Sequence, residues 1–158
     1  MPGGKVHDYR VGVVWEGNRG AGTSHYESYG RRFRVRVEDK PDLMGTADPA
    51  FCGEPHLHNP EELLVAAVAS CHMLFYLSLC ARSGISVVRY SDSARGTMTV
   101  LPNGGGRFDQ ILLQPRVTVQ RGSDLASATA LQTRANELCF IANSCRFPIR
   151  HEAVVELE

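Results

Sequence analysis

The chain has 158 residues, the size of one domain with room for a real core. Apolar residues make up 43% and charged residues 22%, and seventeen basic side chains balance seventeen acidic ones. That neutrality excludes a global field that would gather nucleic acid or an anionic membrane. No apolar run of the signal-peptide kind follows Met1-Pro2-Gly3-Gly4-Lys5, so a cytoplasmic location is expected. Stable disulfides are rare in a reducing compartment, and the cysteine count is odd. The five thiols are therefore expected to be buried, metal-bound or reactive.

In chain order, Tyr9 to Trp15 reads as a strand, ended by the turn-forming Glu16-Gly17-Asn18-Arg19-Gly20. Ser24–Tyr29 and Phe33–Val37 read as further strands, the second with strict alternation (FRVRV). Asp39 to Asn59, rich in proline, glycine and histidine, reads as a long loop of the kind that is more often functional than not. Asn59-Pro60-Glu61-Glu62 is a strong helix start, with an Asn cap, Pro at the first helical position and acids behind it. The helix runs to Gly84, and from Leu63 to Ala81 it is apolar nearly all round, which predicts burial on every side. Ser70, His72 and Ser78 interrupt that apolar length and no second span exists, so a core helix is expected and no membrane. Two long strand-like runs follow, Val87–Val100 and Phe108–Gln120, joined as a hairpin by Pro102-Asn103-Gly104-Gly105-Gly106. Leu125–Leu138 has helical spacing with Ser123 or Asp124 as cap, and Ala153–Leu157 reads as a last strand after Pro148. No repeat or linker divides the chain, so residues 1–158 read as a single α+β domain.

Taken alone, none of the cysteines announces chemistry. Cys71 lies mid-way along the apolar helix, and Cys80 is nine residues on, about 180° around it. Both cannot face one site, and Cys80 is assigned to the core. Cys139 closes the second helix and Cys145 follows it as a rival. Cys52, with His56 and His58 and with His72 as a more distant fourth, could supply ligands to zinc or copper, although no Cys-x₂-Cys pair accompanies them.

Three blocks carry a resemblance: Trp15-Glu16-Gly17-Asn18-Arg19-Gly20-Ala21-Gly22-Thr23; Asn59-Pro60-Glu61-Glu62-Leu63 with Ala69-Ser70-Cys71; and Ala135-Asn136-Glu137-Leu138-Cys139 with Ala142-Asn143-Ser144. In this order and spacing the sequence, from about Tyr9 to Leu157, resembles the OsmC/Ohr family of osmotically inducible and organic hydroperoxide resistance proteins. The resemblance implies antiparallel sheets packed around a long buried central helix. It also implies a peroxidase of oxidative-stress defence that works without metal, haem or flavin. Carried onto this chain, Cys71 is the thiol that attacks an organic hydroperoxide and Cys139 the one that resolves it. Hydrogen peroxide is a second substrate to consider. Arg19 and Glu61 are the assisting pair, and a lipoylated protein or a small thiol is the implied reductant. Asn136 and Phe140 stand where many relatives have His and Pro, and His72 where many have Phe. These departures point to the OsmC side of the family or to a divergent branch, rather than to the Ohr branch.

Physical chemistry adds two conditions. An ordinary thiol has a pKa of about 8.5, which burial raises, so a reactive Cys71 needs a cation, and Arg19 on its glycine-flanked turn is the candidate. Glu61 and Cys71 are ten residues apart, about 15 Å along an unbroken helix, too far for one to organise the other. Unless the helix breaks near its start, Arg19 and Glu61 serve the thiol of a second subunit. The apolar surface of the helix favours that option, and an intertwined homodimer is expected. The competing readings are a metal-binding or metal-sensing protein using Cys52, His56 and His58, and a non-catalytic binding protein of the same fold.

Overall fold

The computed structural model describes residues 3–158. The chain divides into two compact units, one reaching to Glu61 and the other running from Glu62 to Glu158.

In the first unit, β1 (Gly12–Trp15), β2 (Phe33–Arg36) and β3 (Leu43–Gly45) form an antiparallel sheet in that order. Trp15 faces Phe33, and Phe33 faces Gly45 on the other side. A Cβ on Gly45 would lie 2.3 Å from the Phe33 ring, so only glycine lets the phenyl cross there. Between β1 and β2 the chain makes a loop closed at a narrow neck. Glu16 N donates to Arg32 O at 2.9 Å, Gly30 N to Gly17 O at 2.8 Å, and the Trp15 indole N–H to Gly30 O at 2.8 Å. Ser24–Tyr29, expected as a strand, is a series of turns inside this loop. Ser28 Oγ donates to His25 O at 2.8 Å and accepts from His25 N at 3.1 Å, and such local bonds compete with a sheet ladder. The expected loop over 39–59 is more ordered than its composition suggests. It contains β3 and a single 3₁₀ turn, Pro49–Phe51, capped by the Asp48 carboxylate.

The helix α1 spans Pro60–Arg82 without a break. It ends as its sequence predicts, with Gly84 at φ +71°. Ile85 N donates to Cys80 O at 2.9 Å and Gly84 N to Ala81 O at 3.3 Å, a Schellman stop. After α1 the second unit continues with β4 (Val87–Asp92), β5 (Arg95–Val100), β6 (Gly106–Leu113), β7 (Pro115–Val119), α2 (Leu125–Leu138), α3 (Phe140–Asn143), β8 (Ile149–His151) and β9 (Val154–Leu157).

The two long runs predicted as one hairpin are each broken in two. The β5–β6 hairpin turns over residues 101–105, while β4 pairs with β7. The breaks at Ser93–Ala94 and Gln114 line up with a third at Glu152–Ala153. The strands therefore cross together from one three-stranded sheet (β4-β7-β9) to another (β5-β6-β8). In both sheets the C-terminal strand joins parallel to its neighbour. Sequence periodicity carries no mark of such a crossing, and β8 hides behind Pro148 in a stretch that reads as irregular.

Each sheet backs one half of α1. Tyr76 and Cys80 join Val117, Val119, Ala128 and Ala135 in one core cluster. Val68 joins Ile111 and Leu113 in the other. Burial of Ile111 or Leu113 stabilises by roughly 1.5–3 kcal/mol each. The buried residues of α1 are Val68, His72, Tyr76 and Cys80, a single stripe at spacing four. This corrects the expectation of burial on every side. The stripe Ala66, Ser70, Leu74 and Ser78 is exposed, Leu74 by 62%, because one chain supplies packing for only part of the helix.

Candidate active site

Cys71 lies between the two core clusters, half-buried, on the middle turns of α1. Cys139 ends α2 and is fully buried. Its extended backbone (φ −61°, ψ 115°) turns the chain into α3, whose Ala142 N–H donates to Cys139 Sγ at 3.4 Å. The two thiols are neighbours, close enough for Cys71 to perturb Cys139 electrostatically. Burial pushes the Cys139 thiol up to about 11, and the adjacent Cys71 adds to the rise. Cys139 thus keeps its proton at neutral pH and is a donor rather than a nucleophile in the resting protein. Phe75, one turn beyond Cys71, packs edge-on against Phe140, the residue after Cys139, with centroids 4.8 Å apart. Phe140 is 70% exposed, so this aromatic pair forms an apolar border at the protein surface.

The other three thiols are placed differently. Cys80 is buried in the core beside Tyr76, and burial raises its pKa. Cys145 packs against the second cluster and its thiol donates to Ile141 O at 3.3 Å, within its own local turn. Cys52 is exposed at φ +63° after the 3₁₀ turn. His56 and Glu54 are 3.4 Å apart, yet among the described residues no three His, Cys, Asp or Glu side chains are placed to hold a metal ion.

Next to the thiols is a buried polar cluster. His72 Nε2 and Gln132 Oε1 lie 2.8 Å apart, joining α1 to α2. The His151 ring of β8 is 5.8 Å from the His72 ring, and Tyr76 and Tyr90 are 6.0 Å apart. Asp92 accepts from Gln114 N at 2.8 Å with one oxygen. Its other oxygen, His72 Nδ1, Gln132 Nε2, the Tyr76 and Tyr90 hydroxyls and Asn136 Oδ1 are buried without a hydrogen-bond partner among the described residues. Burial lowers the pKa of His72 and of His151, and raises that of Asp92.

Arg19 belongs to the first unit, on the loop between β1 and β2, with its guanidinium near Gly30 at the neck. Asn18 Oδ1 shapes the turn by accepting from Gly20 N at 2.8 Å and Gly22 N at 3.1 Å. The carboxylate that feels Arg19 is Glu54, held below the usual carboxylate range first by its bond to Arg32 and to a lesser degree by Arg19. Glu61 lies in the first turn of α1, and among the described residues no ion pair joins it to Arg19. Arg31 braces the same loop, stacked over Tyr29 at 3.9 Å and Tyr26 at 4.4 Å.

A family model described as OsmC-like protein matches residues 53–154, well over half of the chain. The chain belongs to the OsmC-like protein family. The fold agrees across almost the full length. An OsmC-like protein of unknown function from Vibrio cholerae is 28% identical, with a TM-score of 0.83, covering 94% of this chain and all of its own. An organic hydroperoxide resistance protein from Legionella pneumophila superposes at a TM-score of 0.68 with 18% identity, covering 97% of this chain and 99% of that one. One from Elizabethkingia anophelis gives 0.67 with 18% identity, covering 96% and 99%. No curated protein matches the sequence significantly.

This OsmC-like chain brings together Cys71 and Cys139 of the four residues nominated from sequence. It leaves Arg19 and Glu61 in the first unit. Sequence reasoning missed Gln132 and the polar cluster around it. One signal was available: the buried stripe of α2 reads Ala128, Gln132, Ala135 and then Cys139, and an uncharged amide in an otherwise small apolar stripe asks for a buried partner.

Proposed function

We propose that this OsmC-like protein is a cysteine-based peroxidase that reduces organic hydroperoxides to alcohols, with Cys71 as attacking thiol and Cys139 as resolving thiol. The observation that carries the reading is the meeting of two free thiols from different helices, one reachable and one fully buried. Cys71, partly exposed beside the Phe75–Phe140 pair, can meet an apolar peroxide. Cys139, held protonated by burial, waits behind it.

In the cycle, the Cys71 thiolate attacks the terminal peroxide oxygen. An S–O bond forms, the O–O bond breaks, and the departing alkoxide takes a proton to leave as the alcohol, so Cys71 becomes a sulfenic acid. The Cys139 sulfur then attacks the Cys71 sulfur. Hydroxide departs with the Cys139 proton as water, and a disulfide remains. A dithiol, a lipoylated protein or a small thiol, returns both cysteines to the thiol form by exchange.

Arg19 supplies the cation that stabilises the thiolate and the developing alkoxide, and Glu61, which makes no ion pair with Arg19 among the described residues, is assigned to orient it once two subunits pair. Since α1 is unbroken, about 15 Å of helix separates Glu61 from the Cys71 of its own chain. We therefore assign the pair to the thiol of a second subunit, in a homodimer built around the exposed stripe of α1.

Intact-mass analysis after one equivalent of cumene hydroperoxide tests the assignment. Wild type should lose about two mass units, and Cys139→Ser should gain one oxygen. Peptide mapping should find the cross-link between Cys71 and Cys139. A cross-link to Cys145, or no change in mass, would refute the assignment, and the latter result fits a non-catalytic binding protein.

A further inference from the structure

The buried pair His72–Gln132 is not used by the proposed cycle, yet it ties together the two helices that carry the thiols. His72 follows Cys71 directly on α1. Gln132 precedes Cys139 by seven residues, two helical turns, and so shares the Cys139 face of α2. Both side chains are buried, and their 2.8 Å contact bridges α1 and α2. Around it Cys80, Ala128 and Ala135 pack in the same cluster with the larger Tyr76, Leu79 and Leu131, and such apolar contacts carry none of the directionality of a hydrogen bond. Each residue spends its side-chain hydrogen bond on the other. Among the described residues, His72 Nδ1 and Gln132 Nε2 are buried without hydrogen-bond partners, so the bond between the two residues is the one that orients both side chains. Buried polar pairs of this kind are best attested as devices that fix one register among several packings.

We propose that His72 and Gln132 are positioning residues, a polar clasp that fixes the register of α1 against α2 and thereby the closeness of the Cys71 and Cys139 sulfurs. The clasp governs disulfide closure, not attack on the peroxide. In its kinetic form the inference rests on the peroxidase reading, while in its equilibrium form it needs only that the two thiols can be oxidised to a disulfide.

The test uses the full chain as wild type, as Gln132→Leu and Gln132→Met, which remove the acceptor, and as Gln132→Glu, which keeps an oxygen at the same place. The Cys71–Cys139 disulfide is titrated against reduced and oxidised dithiothreitol, and its formation is followed separately from sulfenate formation after cumene hydroperoxide. In the Leu and Met variants the disulfide should be at least tenfold easier to reduce, about 30 mV for a two-electron couple. Closure should slow at least tenfold while sulfenate formation stays within about twofold. Gln132→Glu should remain within about threefold of wild type in both readouts. Apolar variants that titrate within twofold of wild type, or a Glu variant that falls with them, would overturn the clasp. If wild type consumes no peroxide, the peroxidase reading fails and the titration still decides the clasp.

Discussion

At the scale of single residues, burial decides what each titratable group can do. Cys139 and Cys71 are neighbours, but only the former is sealed from water, and its thiol is pushed up to about 11. Among the five cysteines Cys139 should therefore alkylate slowest with iodoacetamide near neutral pH, accelerating only as the pH approaches 11; mass mapping after timed labelling measures this. His72 and His151 are held below the ordinary histidine value by burial. Between their folded and unfolded values the unfolded chain binds more protons, so stability is lost as pH falls below about 6.5. Asp92, raised by burial, works in the opposite sense, because its folded form takes up a proton before the unfolded one. Thermal melts from about pH 7 to about pH 5 should show a falling midpoint in wild type and a smaller fall in His72→Phe. The thiols were visible in the sequence only as candidates. Gln132 showed only as an amide in an apolar stripe and Asp92 not at all, because their partners come from other elements and spacing along one element does not name what faces it.

At the scale of elements, the loop neck between β1 and β2 makes a sharp claim. A Cβ on Gly17 would sit 1.8 Å from Gly30 O and 2.4 Å from the Trp15 indole nitrogen, so the close approach of the two strands depends on glycine. Gly17→Ala should destabilise by about 1–3 kcal/mol in urea unfolding, as overpacking does. It should also lower peroxide turnover through the displaced Arg19 loop, even where the protein remains folded. Elements whose signals are local were legible. The limits of α2 and the glycine stop of α1 follow from capping chemistry and stand as read, and of the two caps read for α2 the structure has Asp124. Elements set by pairing were not legible. The strand-like runs Val87–Val100 and Phe108–Gln120 do hold strands, but the crossing at Ser93–Ala94 and Gln114 is decided by which strands lie alongside. The turns at Ser24–Tyr29 misled because Tyr26 and Tyr29 suit a strand, while the turn-forming Ser28 bonds the local backbone.

At the scale of the whole molecule, α1 has more apolar surface than its own chain covers. Its exposed stripe sets one large apolar side chain, Leu74, among the small Ala66, Ser70 and Ser78, a surface on which a second helix can pack. Sedimentation should give twice the chain mass of 17.4 kDa, and Leu74→Asp should shift it toward a single chain. Loss of peroxide turnover in the same variant would tie the active site to the pairing of subunits. The measurement that bears most directly on the central claim is a single turnover. Fully reduced protein is mixed with excess cumene hydroperoxide without any reductant, and peroxide and free thiol are followed together. The account predicts a rapid burst of about one peroxide per chain with the loss of two thiols, absent in Cys71→Ser. A Cys71→Ser protein that gives the same burst, or a wild type that gives none, would contradict it.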